Sequence, residues 1–326
     1  MRISHEHLMQ EAGATGFRPE MLEKVIHLMS LLGALRQHPF LMDRWVLKGG
    51  TALNLFVFDL PRLSIDIDIN YIGAVDREAM LAERPKFEQA ITAVCQREGF
   101  SIQRLPDEHA GGKWQLRYDG ALGQGGNLAL DINYLLRVPL WPVVTCNSCQ
   151  VGSYLTSDIP VLDHHELAAG KIAALFTRHA ARDLFDAYQL LTIQSFNIAQ
   201  LRLGMLLYGT MGRTDWRTVS IDHIGFEAKE LEHQLIPVLA SSVLVGITDT
   251  IAWARHLVTY CQERFTELLP LKAEEQEFLD RLLDFGEIVP TLLTNDSIMQ
   301  SRIQTHPAIL WKAKNVQLMR FKGNEK

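Results

Sequence analysis

Cysteine is scarce in this chain, with four in 326 residues. That is too few and too scattered for a disulfide framework, and it fits a reducing compartment. Long apolar runs are missing too. The most hydrophobic stretch, Leu235 to Ile247, is interrupted by Pro237, Ser241, Ser242 and Gly246. It falls short of the roughly 20 apolar residues that a membrane span requires. Residues Met1 to His7 are polar, so no export leader is expected and the chain reads as cytoplasmic, with no membrane partner. A basic excess is also lacking. The net charge of −6 excludes a general polyanion binder and leaves nucleic acid to a local patch. Cys146-x-x-Cys149 has no second cysteine pair; His164 and His165 lie downstream, but Cys95 and Cys261 are scattered, and it reads as structural rather than as a zinc site. No repeat or low-complexity tract interrupts the sequence.

What is present is more pointed. In Arg62-Leu63-Ser64-Ile65-Asp66-Ile67-Asp68-Ile69-Asn70, polar residues alternate with isoleucines. Such alternation marks a strand with one polar face, on which Asp66 and Asp68 point the same way. Two neighbouring carboxylates repel unless a cation lies between them or one keeps a proton. A hard divalent ion, Mg2+ or Mn2+, is the expected remedy. Ser64 shares that face, where it could hydrogen-bond a phosphate.

Upstream, Trp45-Val46-Leu47 reads as a short strand, Gly49-Gly50 as a turn, and Thr51 to about Phe58 as a helix. A glycine turn opening a helix offers free backbone N–H groups and the positive end of the helix dipole to a phosphate. Lys48 lies before the glycines, so this is no Walker A loop, and Gly-x-Gly-x-x-Gly is absent here. A phosphate cradle followed by paired aspartates on the next strand is the layout of a nucleotidyltransferase site. Such a site needs a third acid. Asp131, alone in the apolar run Asn127 to Tyr134, is the candidate, since an acid buried in an apolar strand needs a partner or a metal.

Farther along, Asp163 and Glu166 have the spacing of a capping box opening a helix to about Arg178. Lys171 and Arg178 are seven apart and share a face, suited to clamping a triphosphate. A second helix, about 181–192, sets Asp183 and Asp186 on one face. For Arg178, Arg182 and Asp186 ordinary surface ion pairing remains an equal reading.

These residues carry a family resemblance. Gly49-Gly50-Thr51-Ala52-Leu53 followed by Arg62-x-Ser64-x-Asp66-x-Asp68, and then Lys171-x-x-Ala174-Leu175-x-x-Arg178 with Arg182-Asp183-x-x-Asp186, resemble the AbiEii/AbiGii-type nucleotidyltransferase toxins. That family belongs to type IV toxin–antitoxin and abortive-infection (phage-defence) systems. The resemblance covers nearly the whole chain. It departs at Ile65, where a polar residue is usual. The resemblance implies that Lys171 holds phosphate and that Asp183 positions Lys171 or helps activate the attacking hydroxyl. It implies, too, that Ser64 can be phosphorylated, which would add about two negative charges beside the aspartates. A tRNA 3′ end as acceptor and a separately encoded winged-helix antitoxin as partner are likewise implied.

Periodicity places strands near 44–48, 64–72, 100–105, 113–119, 127–135 and 143–146, with helices at 18–37 and 76–98. Gly120 to Gly126 reads as a hairpin turn. Pro139, Pro142 and Pro160 mark a switch to helices at 163–178, 181–192, 197–208, 226–240, 247–267, 273–285 and 296–304. The expected fold is α+β: a polymerase-beta-like mixed-sheet domain over 1–160 and a helical domain over 161–326 that contributes Lys171 and Asp183 to the cleft.

The expected activity is Mg2+-dependent (or Mn2+-dependent) transfer of NMP from an NTP to RNA, as a translation-blocking toxin. Asp66, Asp68, Lys171 and Asp183 are the catalytic candidates. Gly49, Gly50, Thr51, Ser64 and Arg178 are assigned to the nucleotide, and Asp66, Asp68 and Asp131 to metal. Nucleotidylation of a protein hydroxyl and a non-catalytic nucleotide-binding regulator are the alternatives. Two clusters of cations and aromatics could touch RNA or be structural: Lys312, Lys314, Arg320, Lys322 and Lys326 with Trp311, Phe321 and the opposing Glu325, and Arg213, Arg217 and Trp216.

Overall fold

The computed structural model describes residues 3–106, 108–193 and 195–323. They form two compact units. One comprises Met1–Asp163 together with Leu231–Thr250, the other His164–Glu230 together with Ile251–Lys326. No helix among the described residues is long and apolar enough to cross a membrane.

The first unit is built on a mixed seven-stranded sheet of order β3-β4-β5-β2-β1-β7-β6. Its strands are β1 (Trp45–Lys48), β2 (Asp66–Tyr71), β3 (Ser101–Arg104), β4 (Gly111–Tyr118), β5 (Gly126–Asn133), β6 (Val144–Cys146) and β7 (Ile159–Val161). β2 runs antiparallel to β1 and parallel to β5, while β4 and β5 form an antiparallel hairpin. Alternation sets the two faces apart. Ile67, Ile69, Trp114, Leu116, Leu130 and Ile132 are buried on one face, whereas Lys113, Gln115, Arg117 and Asn127 on the other are exposed.

The helices α1 (His5–Thr15), α2 (Pro19–Gln37), α3 (Gly49–Phe56) and α4 (Arg77–Arg97) complete this part of the chain. Pro19 begins α2, where its missing N–H costs nothing. Leu22, Val25, Leu28 and Leu32 on α2 are fully buried and share one side of the helix predicted over 18–37. α1 was not anticipated from the sequence. It is capped by the Ser4 side chain and ends on the left-handed Gly16.

Two further features depart from expectation. Pro160, read as the end of the strand region, lies inside β7, which pairs with β1 through Leu47 and Val161 and with β6 along its length. The continuous helix expected at 226–240 is broken instead. A single α-turn at Ala228–Glu230 passes into a π-turn at Leu231–Leu235 and a 3-10 turn at Ile236–Val238. Pro237 is the physical cause, since it has no N–H to continue the ladder and its ring clashes with the preceding turn. From Leu231 to Thr250 the chain belongs to the first unit. Leu63 N donates to Val238 O (2.7 Å) and Ala240 N to Pro61 O (3.2 Å), which brackets the approach to β2.

The second unit is helical. Its elements include α5 (His164–Thr177), α6 (Ala181–Ile193) and α7 (Ile198–Met211), followed by the helices Thr250–Phe265, Ala273–Asp280, Ser297–Thr305 and Pro307–Gly323. α5 is in contact with both α6 and α7. Glu166, on α5, is buried and accepts a hydrogen bond from the Tyr208 hydroxyl at 2.8 Å.

Candidate active site

Strand register creates the centre of the site. Lys48 lies opposite Asp68, Asp68 opposite Asp131, and Asp131 opposite Lys113. Residues directly opposite in a ladder share a face. A row Lys48–Asp68–Asp131–Lys113 therefore crosses β1, β2, β5 and β4. Asp66 lies two residues before Asp68 on the same face, with the Lys113 ammonium 3.8 Å from its carboxylate. All three acids are partly buried. Burial is the main reason the Asp131 carboxyl titrates above the ordinary range; Lys48 opposes the shift, and Asp68 reinforces it. On α2, burial lowers the Lys24 ammonium while the charge of Asp66 partly restores it.

The glycine pair explains how close the acids can come. Gly49 has φ +74°, and a Cβ there would lie 2.3 Å from Asp68 Oδ2. Only glycine tolerates both that backbone conformation and that approach. Gly49 is also the first residue of α3, whose start carries no side-chain cap. Its leading N–H groups are thus left for an anion. Gly50 lies in the first turn, its carbonyl accepting from Asn54 Nδ2 at 2.9 Å. Thr51 is fully buried and its hydroxyl donates to the Asp66 carbonyl, so its side chain anchors β2 beneath the acids. Ser64, just before β2, is buried to 8% exposure and its side chain forms no hydrogen bond to a described residue.

The second unit holds its own cluster. Lys171 Nζ lies 2.7 Å from Asp183 Oδ1 and 2.9 Å from Asp186 Oδ2, and all three side chains are buried. The Arg178 guanidinium, 65% exposed, reaches Asp183 Oδ2 at 3.2 Å. The i, i+3 spacing on α6 sets both carboxylates toward one ammonium.

Of the remaining sequence candidates, Trp216 is fully buried and Arg217 is bound to Asp215 (2.7 Å), Asp284 (2.8 Å) and Asp280 (3.3 Å), while Arg213, Trp311 and Lys314 are exposed. Lys312 donates to the Gly212 carbonyl at 2.8 Å, and Arg320 stacks on Phe285 at 4.7 Å. Glu325 and Lys326 lie outside the described residues, as do the side chains of Phe321 and Lys322. Cys146 and Cys149 are free thiols, and burial pushes Cys149 up to about 11.

Sequence reasoning did not assign Lys24, Lys48 or Lys113 to the site. The predicted turn at Gly120 to Gly126 does not by itself yield the Lys113 pairing: symmetry about its centre would set Lys113 against Asn133, whereas the hairpin is centred on Leu122, with Tyr118 opposite Gly126 and Lys113 opposite Asp131.

The sequence model of the family described as nucleotidyl transferase AbiEii toxin, type IV TA system, matches residues 30–304. Among solved structures, the nucleotidyltransferase toxin MenT4 from Mycobacterium tuberculosis H37Rv is similar with a TM-score of 0.57. That match covers 95% of this chain and 99% of MenT4 at 19% identity, a likeness of fold. No curated protein matches the sequence.

Proposed function

The chain belongs to the AbiEii family of nucleotidyltransferase toxins of type IV toxin–antitoxin systems, and from that premise we propose that it moves NMP from an NTP to a hydroxyl of an RNA acceptor. The tRNA 3′ end is the acceptor we favour, and blocked translation the consequence. Membership implies an NTP substrate and a cognate antitoxin, which we expect to be of the winged-helix type.

The observation that carries the reading is the in-register row of Lys48, Asp68, Asp131 and Lys113 with Asp66 beside it. An all-oxygen set of three carboxylates on one face, with Asp131 shifted upward by burial and by Asp68, fits a hard divalent cation. Asp66, Asp68 and Asp131 would hold it. A bound Mg2+ or Mn2+ would supply Lewis-acid stabilisation of charge on the transferred phosphoryl group and the leaving pyrophosphate.

The chain's own groups do the rest. Gly49 and Gly50 bring the uncapped start of α3 to the phosphates. Thr51 fixes β2 through the Asp66 carbonyl, and Ser64 offers a free hydroxyl to a phosphate oxygen. Lys171, oriented by Asp183 and Asp186, is the cation we assign to phosphate, with Arg178 as its more exposed companion.

The test incubates the protein with Mg2+, each α-phosphate-labelled NTP in turn, and total RNA plus cell lysate, beside Asp66→Ala. We expect label on small RNA that disappears in the variant. Label on protein would replace the RNA acceptor with a protein hydroxyl. Nucleotide binding without any labelling, and toxicity that survives in Asp66→Ala, would replace the enzyme with a nucleotide-binding regulator.

A further inference from the structure

The polar face of the sheet continues beyond the acid row, and its charge changes sign. Outward from Asp131, β4 presents Lys113, Gln115 and Arg117, and β3 presents Arg104 opposite Gln115 and Ser101 opposite Arg117. β5 adds Asn127 opposite Arg117. Each of these six side chains is exposed. Beyond Asp131 the described strand positions of this face carry three cations and no carboxylate. Neither Arg104 nor Arg117 has an ion-pair partner among the described residues. By contrast, Arg217 in the second unit is held by three aspartates. In a chain of net charge −6, two exposed arginines on one face without an ion-pair partner among the described residues are a local feature that runs against the average.

We propose that this open face of β3, β4 and β5 seats the phosphate backbone of the RNA acceptor and leads its end to the acid row. The inference rests on the nucleotidyltransferase reading with an RNA acceptor and names the surface that acceptor uses. Charge complementarity and continuity select the occupant, because Lys113 belongs both to the cationic face and to the row containing Asp131. The face carries no aromatic side chain, so it offers no stacking platform for bases. Arginine, lysine, amide and hydroxyl groups without an aromatic partner hold backbone and leave sequence largely unread. Arg117 is directed by its surroundings, since its guanidinium lies where a Cβ on Gly125 would fall within 2.9 Å. The glycine leaves that arm its place at the hairpin end of the face.

The experiment measures binding of bulk tRNA by the full chain in EDTA, without NTP, as a function of salt. The protein is compared with Arg104→Gln/Arg117→Gln, Arg104→Lys/Arg117→Lys and Lys314→Gln. Each phosphate contact contributes about 0.7 to 0.9 to the slope of log affinity against log salt. The double glutamine variant should therefore lose about 1.4 to 1.8 of slope and bind about 25- to 60-fold more weakly near 0.1 M salt. The double lysine variant should keep the slope, and NTP binding should be unchanged in both. A wild-type slope in the double glutamine variant, with RNA still labelled by the wild type, overturns the track alone. So does a loss of slope in Lys314→Gln that the sheet variant does not show. If the wild type neither binds bulk tRNA nor labels RNA, the RNA-acceptor reading falls and takes the track with it.

Discussion

Replacing Gly49 by alanine separates folding from chemistry at this site. The backbone there is left-handed at φ +74°, a conformation that costs an L-residue about 1–2 kcal/mol. The added Cβ would also meet Asp68 Oδ2 at 2.3 Å, where ordinary contact begins near 3.4 Å. The nearest atom is the tip of a short side chain, which rotation can carry away, while Asp68 Cβ at 3.1 Å has to give by only a few tenths of an ångström. The stability loss should then stay near the backbone term, a fall in Tm of about 2–8 °C for a unit of this size. The catalytic loss should be larger. The carboxylate has to retreat by about 1 Å, and a misplacement of that size costs on the order of 100-fold in rate, or about 2.7 kcal/mol of barrier. Gly99 supplies the control. Its φ is +89° with nothing within 4 Å of an added Cβ, so Gly99→Ala carries the backbone strain without the contact. Thermal melts and labelled-NTP turnover of both variants decide the matter. Both should lose a similar few degrees, and only Gly49→Ala should lose turnover. A Gly49→Ala protein within threefold of wild-type kcat/KM, or a Gly99→Ala protein equally inactive, would refute the reasoning.

Other outcomes follow from the same contacts. The Asp131 carboxyl is raised in the folded chain, so its favourable contribution is complete below the unfolded pKa and is lost as pH rises through the folded one. Asp131→Asn should therefore match the metal-free wild type in acid, exceed it in Tm at neutral pH, and lose nucleotidyl transfer. Lys171→Met leaves two buried carboxylates without their ammonium and should cost about 3–5 kcal/mol in urea denaturation, the penalty of breaking a buried pair. Lys113→Gln removes a cation competing for Asp66. Mn2+ binding measured without nucleotide should tighten by no more than about fivefold, because so exposed a pair is worth at most about 1 kcal/mol. Weaker Mn2+ binding in that variant would show that Lys113 supports the acid site and does not compete with metal.

The sequence by itself determined what depends on neighbours along the chain. Period-two alternation put Asp66 and Asp68 on one face of a strand, and the glycine pair after Trp45-Val46-Leu47 opened a helix, because pleat and turn conformation are local properties. Asp131 was legible as a lone acid in an apolar strand. The helical course of α2, α5 and α6 was legible in the same way, whereas the burial of Lys171, Asp183 and Asp186 together was not. Register between distant strands was not. Nothing near Asp68 states that its neighbours across the sheet are Lys48 and Asp131, nor that Lys113 closes the row. Those pairings arise when β1, β2, β4 and β5 bury their apolar faces together, and a slip of one residue would turn every acid to the other side. The return of Leu231–Thr250 to Pro61 and Leu63 was equally hidden. Its periodicity reads as helix, and only the break at Pro237 with backbone partners waiting near β2 turns it into part of the first unit. Tertiary structure alone decided that the acids sit between lysines, since hydrogen-bonded register is a property of the whole sheet and local sequence carries only the face on which each side chain will lie.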